Sequence, residues 1–467
     1  MTELRELLER LSDEDAPGDA DAIFDAAHTR VIVLRRRRRF WGASIAVALV
    51  VAGLSSIVVV VVRARSATEA SSTPSISIPP APPGPTAAQL AGGAWSLIPS
   101  APIPARASAS VVWTGRELLV WGGQSGTQGD QLHADGAAYD PSTRTWRMLP
   151  PSPLSARTGQ VAVWTGRDLM IWGGYDNVRA GQLHVTANGA AYDPSANTWR
   201  MLPAAPLSAR SGAIGVWTGS RAVLLGGAPA IVTDAVSSYT DAATYDPTHE
   251  LWQHIEPPTP PNDDPIAWRV AVPIGGQRVL AWSVWAKTRQ LDRNTSTGSG
   301  GADIFLFDET NHQWASLANA RGAIADPEEV LWTGEYALVR GISFNCGSCS
   351  RDFTPEVTSR YDPGSNEWTG TTADPLPLAH LSSVWTGETL FSFNGGSSSS
   401  GPLGSYEPGD ASVYDPASNT WTRLQRAPFG CATDRAPIWT GEQVLVYCPD
   451  SYPKSAAKAS GVAYTPA

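Results

Sequence analysis

The chain has 467 residues, and its formal net charge at pH 7 is −10. This acidic balance argues against a nucleic-acid partner, because phosphate binding needs a basic face. Charged residues make up only 17% of the chain, whereas Gly, Pro and Trp are plentiful. Such a composition is typical of short strands joined by tight turns.

Residues 1–39 are polar and begin with a short amphipathic pattern. Leu4, Leu7, Leu8 and Leu11 recur at helical spacing, which predicts a short helix. That helix is either a solvated segment next to a membrane or a docking helix for a cytoplasmic partner. We therefore interpret residues 1–39 as a cytoplasmic segment.

An uncharged apolar segment occupies residues 40–62, directly after the arginine run Arg35–Arg39. A helix of this length spans about 34 Å, which is enough to cross a hydrocarbon core of about 30 Å. A cleavable signal peptide would have a shorter apolar core nearer the N-terminus. The arginines predict a cytoplasmic N-terminus and an extracytoplasmic C-terminal region, hence a single-pass protein of the cell membrane. Nucleic-acid binding by the arginines is the rival interpretation.

Residues 63–93 are rich in Ser, Thr, Ala and Pro and contain few large apolar side chains. This composition cannot form a core and favours an extended chain. We expect a linker that holds the following domain away from the membrane.

Residues 94–467 repeat a unit of about 50 residues, which is typical of solenoids and propellers. Each unit contains four short runs separated by turn residues, a pattern that predicts a four-stranded blade. A divergent copy starting at Val272 marks one unit, and the sequence WTG marks six others, at Trp113, Trp164, Trp217, Trp332, Trp385 and Trp439. This makes seven units. The predicted fold is therefore an all-β, seven-bladed propeller that follows a single transmembrane helix.

An aromatic residue of the third run lies seven residues before the Trp of the fourth run. This spacing holds in six units: Tyr139 and Trp146, Tyr192 and Trp199, Tyr245 and Trp252, Phe307 and Trp314, Tyr361 and Trp368, Tyr414 and Trp421. The last unit ends at Tyr464 without a Trp, whereas Trp95 has no Tyr before it. We predict that the strand around Trp95 completes the last blade beside Tyr464, because closure buries both end faces of the ring.

The units resemble the kelch repeat family, including the central domain of galactose oxidase. The resemblance rests on the spaced Tyr and Trp and on a Gly pair after the second run: Gly122-Gly123, Gly173-Gly174, Gly226-Gly227 and Gly395-Gly396. Three units depart from this pattern, with Trp282-Ser283, Gly341-Ile342 and Cys448-Pro449 at the pair. The resemblance implies a kelch-type propeller that serves as a protein-binding platform, a carbohydrate binder or, rarely, an oxidase.

Strand order places the long, dissimilar connections on one rim of the propeller, where binding usually resides. Arg106, Arg157 and Arg210 stand seven residues before the WTG tryptophan, at the start of the innermost strand. These axial arginines could bind an anionic ligand such as a carboxylate or an acidic sugar. Alternatively, they satisfy loop carbonyls or pair with a neighbouring blade. The other units have Ile266, Ala325, Leu378 and Ala432 at this position.

We find no motif that predicts catalysis, a metal site or a cofactor. The seven histidines show neither HxH nor HExxH spacing, and a transition-metal site usually needs clustered imidazoles or thiolates. The sequence contains no GxSxG motif and no Gly-rich phosphate loop. Scattered loop residues could still form an enzyme site.

The four cysteines suit an exported domain. Cys431 and Cys448 flank the last WTG at similar distances, so adjacent strands bring them together and predict a disulfide. Cys346 and Cys349 form CGSC, for which a local loop disulfide is favoured over a redox or zinc motif.

Three hypotheses for function follow. The first is a membrane-anchored propeller that binds protein or glycan on the loop-rich rim. The second is an extracytoplasmic carbohydrate-active enzyme with a pocket on that rim. The third is a transmembrane signalling protein in which the propeller is the sensor.

Overall fold

The computed structural model describes residues 84–467, except 126–130, 179–181, 230–237, 261–265, 291–295, 318–323, 325, 343–355, 377–380, 395–408, 429, 432–436, 449–450 and 453–458. The predicted cytoplasmic segment (1–39), the predicted transmembrane helix (40–62) and most of the predicted linker (63–93) lie outside the described residues. Within the described ranges, no helix is long and apolar enough to span a bilayer.

One short helix and many short strands make up the described chain. The helix is α1 (Ala87–Ala91). The strands, in chain order, are β1 (Ala94–Pro99), β2 (Ser110–Trp113), β3 (Leu118–Trp121), β4 (Gln124–Ser125), β5 (Gln131–Leu132), β6 (Gly136–Asp140), β7 (Thr145–Met148), β8 (Arg157–Thr158), β9 (Val161–Trp164), β10 (Leu169–Trp172), β11 (Tyr175–Val178), β12 (Gln182–Val185), β13 (Gly189–Asp193), β14 (Thr198–Met201), β15 (Ile214–Trp217), β16 (Ala222–Leu225), β17 (Ala242–Asp246), β18 (Leu251–Ile255), β19 (Trp268–Pro273), β20 (Arg278–Gln290), β21 (Ser296–Asp308), β22 (Gln313–Ser316), β23 (Asp326–Trp332), β24 (Ala337–Ile342), β25 (Glu356–Asp362), β26 (Glu367–Gly370), β27 (Leu381–Trp385), β28 (Leu390–Asn394), β29 (Asp410–Asp415), β30 (Thr420–Arg423), β31 (Gly430–Cys431), β32 (Pro437–Trp439), β33 (Val444–Tyr447), β34 (Ser451–Tyr452) and β35 (Ala459–Thr465).

The fold is all-β, with antiparallel four-stranded sheets as its units. Seven such sheets occur in the described part of the chain: β2-β3-β6-β7 (sheet 1), β9-β10-β13-β14 (sheet 2), β15-β16-β17-β18 (sheet 3), β19-β20-β21-β22 (sheet 4), β23-β24-β25-β26 (sheet 5), β27-β28-β29-β30 (sheet 6) and β32-β33-β35-β1 (sheet 7). In sheets 1–6 the strand order follows the chain order, as expected when each sheet is one repeat.

Apolar clusters lie between sheets rather than within them. One cluster joins each pair of successive sheets, from sheets 1 and 2 through sheets 6 and 7. A further cluster joins sheet 7 to sheet 1 through residues such as Leu445 and Leu118. Each sheet therefore buries both of its faces against neighbours, which is consistent with a propeller.

The first and last strands of the folded region pair with each other in sheet 7. Trp95 of β1 lies opposite Tyr464 of β35, and their ring centroids are 4.7 Å apart. Helix α1 adds to this contact, because its Leu90 is fully buried among the side chains of sheets 6 and 7. The Tyr464 hydroxyl donates to the Leu90 carbonyl. Folded structure thus begins within residues predicted as linker.

The turn between the third and fourth strands repeats the same backbone conformation in sheets 1–6. The residue five positions after the third-strand aromatic has a positive φ of 52–58° in each case: Arg144, Asn197, Glu250, His312, Asn366 and Asn419. Asn tolerates this left-handed region better than most residues. Where Asn occupies this position, its side-chain oxygen also accepts a hydrogen bond from the third-strand Tyr hydroxyl, as Asn366 does from Tyr361 at 2.8 Å.

A disulfide joins Cys431 and Cys448, the pair that the strand register predicts, with their Cα atoms 5.2 Å apart. Both cysteines are buried. The cross-link closes a segment that contains β32 and β33, so it constrains the sheet that joins the first and last strands of the folded region. Cys346 and Cys349 lie outside the described residues.

We expect Asn366→Ala to destabilise the fold by about 2 kcal/mol, since it removes a hydrogen bond and replaces Asn, which tolerates positive φ, with Ala, which does not. Asn366→Gly removes only the bond and should cost about half as much. Chemical denaturation of both variants tests this order. Equal losses would show that backbone conformation contributes nothing at this turn.

Leu90→Ala should lower the free energy of unfolding by about 2–5 kcal/mol, because it empties a buried site between the sheets that join the chain ends. Leu97→Ala in β1 is the matched control, since Leu97 is 43% exposed and should change stability far less. Thermal melting compares the two variants. A Leu90→Ala loss no larger than the control would contradict a structural role for α1.

Candidate functional site

The candidate site lies on the rim that carries the connections from second to third strands. Two small hairpins extend this rim: β4–β5 lies in the connection from β3 to β6, and β11–β12 lies in the connection from β10 to β13. Strand β8 pairs with β11, so the connection that leads into β9 belongs to the same layer. The Tyr175 hydroxyl donates to the Gln124 side-chain oxygen at 3.2 Å and ties the two hairpins together. We call this layer the rim surface and define it as residues 124–125, 131–133, 175–178 and 182–185.

The three axial arginines make the same set of contacts, each within its own repeat. Arg106 donates from Nε to the Pro104 carbonyl and from Nη1 to the Gly122 carbonyl, at 3.0 and 3.2 Å. Arg157 and Arg210 repeat both contacts in sheets 2 and 3. All three side chains are buried. Each guanidinium therefore holds the first Gly of the Gly pair against the start of its own strand.

A polar residue just before the third strand completes each arginine site. Arg106 Nη1 lies 2.7 Å from Asp135 Oδ1, and Arg210 Nη1 lies 2.7 Å from Asp241 Oδ1. In sheet 2 the partner is the amide of Asn188, at 3.0 Å from Arg157 Nη1. Two of the three buried cations are thus neutralised by a carboxylate of their own repeat.

Burial and neighbouring charges shift the pKa values of Arg157 and Asp135. Burial lowers the pKa of Arg157 to about 10, with a smaller opposing effect from the Asp176 charge. At neutral pH this guanidinium stays protonated. Burial raises the pKa of the Asp135 carboxyl, but the hydrogen bond and charge of Arg106 outweigh it and hold the pKa below its ordinary value.

These contacts match the alternative in which the arginines satisfy loop carbonyls rather than the one in which they bind a ligand. The sequence carries a signal for this role. Arginine, Gly pair and a preceding Asp or Asn occur together in the first three repeats, whereas the repeats with Ile266, Ala325 and Ala432 lack the Gly pair as well. Co-occurrence of the three features, rather than the arginines alone, indicates a structural clamp.

Two histidines that the sequence spacing did not single out lie on the rim surface, at different places in the two hairpins: His184 is opposite Asp176, whereas Gln131 is opposite Ser125. His133 Nε2 lies 2.8 Å from Ser125 Oγ, and His184 Nδ1 lies 2.9 Å from Asp176 Oδ1. Ser125 and Asp176 each follow a Gly pair by two residues. The signal in the sequence is the tripeptide QLH, which recurs at 131–133 and 182–184.

The two histidines differ in environment. Burial, together with the charge of Arg106, lowers the pKa of His133, so its imidazole is neutral at neutral pH. The side chain of His184 is 65% exposed, and the hydrogen bond from its Nδ1 to Asp176 leaves its Nε2 without a bond to that carboxylate. Burial raises the pKa of Asp176, but hydrogen bonds from Ser155 Oγ, at 2.8 Å, and from His184 outweigh it and hold the pKa below its ordinary value.

The rim surface therefore offers oriented hydrogen-bonding groups rather than a concentration of charge. Within the described residues, no group of three His, Cys, Asp or Glu side chains is placed to hold a metal ion. Serine, histidine, tyrosine and amide side chains at this edge suit a polar partner that itself donates and accepts hydrogen bonds.

We expect Asp135→Asn to destabilise the protein by about 1 kcal/mol at neutral pH, a modest loss because this carboxylate is 41% exposed. The depressed pKa means that the pair stabilises the fold above the ordinary Asp pKa. The difference between wild type and variant should therefore vanish as the pH falls through the folded-state pKa of Asp135. The reciprocal variant Asn188→Asp should be stabilising, because it gives Arg157 a carboxylate. Denaturation between acidic and neutral pH tests both changes, and a pH-independent difference would contradict the ion pair.

Comparison with known proteins gives the same type of repeat. Residues 89–280 match the model of the KLHDC2/KLHL20/DRC7 Kelch-repeats domain. The Kelch-like protein terF of Aspergillus terreus is 23% identical over 303 residues, which cover 61% of each chain. N-acetylneuraminate epimerase of Haemophilus influenzae is 31% identical over 142 residues, which cover 24% of this chain and 38% of the epimerase. The chain thus spans less than two thirds of the length of either relative. Together with the antiparallel four-stranded sheets, these matches support a kelch-repeat domain in this chain.

Proposed function

We propose that this chain is a membrane-anchored protein-binding module, in which kelch repeats form a seven-bladed propeller outside the cell. The cyclic series of apolar clusters, from sheets 1 and 2 round to sheets 7 and 1, supports the ring. The uncharged segment 40–62 and the arginines before it support a single transmembrane helix with a cytoplasmic N-terminus. The disulfide supports an extracytoplasmic domain, since such bonds persist in oxidising compartments.

The rim surface is the proposed binding face. Its side chains are held by bonds across two hairpins, such as that between Tyr175 and Gln124. A pre-ordered surface loses less conformational entropy when it binds. The axial arginines already donate to backbone carbonyls of their own repeats. We therefore propose that the rim surface forms hydrogen bonds to a polar protein surface rather than binding an anion. Kelch domains generally bind proteins, and this face is where the repeats differ most from one another.

Cross-linking in the native membrane tests the proposal. The full chain should capture a specific partner, and the double change Tyr175→Ala with His184→Ala should reduce the captured amount by at least about tenfold, as expected for loss of about 1.4 kcal/mol. Arg167→Ala is the matched control, because Arg167 belongs to the same sheet but lies on the opposite rim and is 79% exposed. Equal capture by both variants would exclude the rim surface as the binding face.

A carbohydrate-directed function is a second candidate, and one observation favours it: the partial match to N-acetylneuraminate epimerase. We place the sugar-binding site on the same rim surface, where hydroxyl and imidazole groups can form hydrogen bonds with a sugar. Titration calorimetry with N-acetylneuraminate and a neutral hexosamine provides the test. Heat that the Tyr175→Ala, His184→Ala variant abolishes would favour this candidate. Absence of heat with both sugars would count against this candidate, and protein binding would then be the remaining proposal.

A further inference from the structure

The β4–β5 hairpin of the first repeat places a serine hydroxyl against an imidazole. Ser125 Oγ lies 2.8 Å from His133 Nε2. In such a pair, a neutral imidazole nitrogen can accept the hydroxyl proton and make the oxygen nucleophilic. Ser125 is partly exposed at the rim, so a small molecule can approach its hydroxyl.

A carboxylate lies on the other side of the same imidazole. Asp135 Oδ1 is 3.8 Å from His133 Nδ1, which is longer than a hydrogen bond. The order of the groups is nevertheless that of a nucleophile, a general base and a group that positions the base: hydroxyl, Nε2, Nδ1 and carboxylate. Contacts between such groups are often long in a protein without substrate and shorten in the complex.

Backbone hydrogen bonds hold the imidazole and the carboxylate in place. The His133 N–H donates to the Gly123 carbonyl at 3.0 Å, and the His133 carbonyl accepts from the Arg157 N–H at 3.1 Å. The Gly122 N–H donates to the Asp135 carbonyl, also at 3.1 Å. Partners from the Gly pair and from the next repeat thus fix the backbone on which both side chains are mounted, as a reactive site requires.

The serine backbone is fixed in a similar way. Gln124, directly before it, exchanges two backbone hydrogen bonds with Ala107, at 2.7 and 2.9 Å. Ser125 lies opposite Gln131 in the hairpin, and Gln131 Oε1 is 3.1 Å from its hydroxyl. The hydroxyl has one proton, and the imidazole is the nearer of its two acceptors. The Gln131 carboxamide also carries N–H donors, a type of group that stabilises an oxyanion beside a nucleophile.

The imidazole is in the protonation state that a base requires. Burial, followed by the charge of Arg106, lowers the pKa of His133, against a smaller opposing effect from Asp135. At neutral pH the imidazole is therefore neutral and able to accept a proton. Burial raises the pKa of Asp135, but the hydrogen bond and charge of Arg106 outweigh it. This carboxylate is therefore ionised and can stabilise an imidazolium.

The corresponding hairpin of the second repeat lacks this pair. Asp176 stands where the first repeat has Ser125, two residues after the Gly pair. Its Oδ1 lies 2.9 Å from His184 Nδ1. A carboxylate and an imidazole in this contact have no hydroxyl between them to activate. Of the two hairpins, only β4–β5 has a nucleophile next to a base.

We propose that Ser125 and His133 form a nucleophile–base pair that hydrolyses small acyl esters, with Asp135 as a positioning residue. Ser125 Oγ attacks the carbonyl carbon as its proton passes to His133 Nε2. The ester C–O bond breaks as the imidazolium gives that proton to the leaving oxygen. Water then attacks the acyl-serine, Nε2 takes a proton from the water and returns it to Oγ, and the carboxylic acid is released. The reaction needs no protein partner, so this inference does not depend on the proposed binding function.

Hydrolysis of para-nitrophenyl acetate by the full chain provides the first test. Ser125→Ala and His133→Gln should each lower the rate by at least about 100-fold, the low end of the effect of general base catalysis. Ser142→Ala is the matched control, because this exposed serine of the same repeat contacts Asp140 rather than a histidine, and its rate should equal that of wild type. Absence of hydrolysis by wild type, or a rate that either of the first two changes leaves unaltered, would overturn the proposal.

The pH dependence of the rate separates positioning by Asp135 from a merely structural role. The wild-type rate should fall at acidic pH as His133 gains a proton, with a midpoint below the ordinary value of 6.5. Asp135→Asn should move this midpoint to a still lower pH and reduce kcat, since it removes the negative charge that favours the imidazolium. An unchanged midpoint would exclude Asp135 as a positioning residue.

Covalent labelling of the wild-type chain decides the matter if a variant fails to fold. A fluorophosphonate probe forms an Oγ–P bond with an activated serine and releases fluoride, and the hydroxyl proton passes to the base. Mass mapping of the digested chain should place the label on Ser125. A chain that carries no label at Ser125 would refute the nucleophile–base pair, whatever the variants show.

Discussion

One cross-strand pair sets the geometry on which the rest of the structure depends. In every four-stranded sheet of the described chain, a third-strand aromatic lies opposite a fourth-strand tryptophan, with ring centroids 4.7–5.1 Å apart. In sheets 1, 2, 3, 6 and 7 the indole N–H also donates to a carbonyl of the preceding repeat, as Trp146 does to Pro99 at 2.8 Å. The pair therefore fixes the register within one sheet and the contact with the next. Trp95 and Tyr464 form this pair from opposite ends of the chain.

The aromatic pair constrains the turns at one edge of the sheets but not the connections at the opposite rim. The turn beside each pair must be short and must hold a residue at positive φ, so it tolerates little variation. The connections at the other rim carry no such requirement and are free to differ. In the first three sheets, a buried arginine anchors them to the Gly pair. A rigid base beneath variable hairpins is the arrangement that recognition of a polar partner needs.

The repeats are not energetically equivalent, and their departures are informative. Three contacts between successive sheets use a buried tryptophan of the second strand: Trp121, Trp172 and Trp282. At the equivalent position of sheet 5, Arg340 instead forms a buried ion pair with Glu329. A buried ion pair adds little net stability compared with apolar packing, because desolvation offsets the attraction. The repeat that contains this ion pair is one of those that depart from the Gly pair, with Gly341-Ile342 at that place.

The sequence by itself determined the repeat, the spacing of Tyr and Trp, the pairing of Trp95 with Tyr464 and the proximity of Cys431 and Cys448, because each depends on strand alternation and turn chemistry alone. Tertiary structure decided what the buried polar groups do. The sequence leaves two roles open for Arg106, and only the structure shows that Asp135 and Gly122 lie against its guanidinium. Leu90 looks like linker until its neighbours in sheets 6 and 7 are in place. Burial and hydrogen-bond partners arise from residues distant in sequence, so no local pattern could specify them.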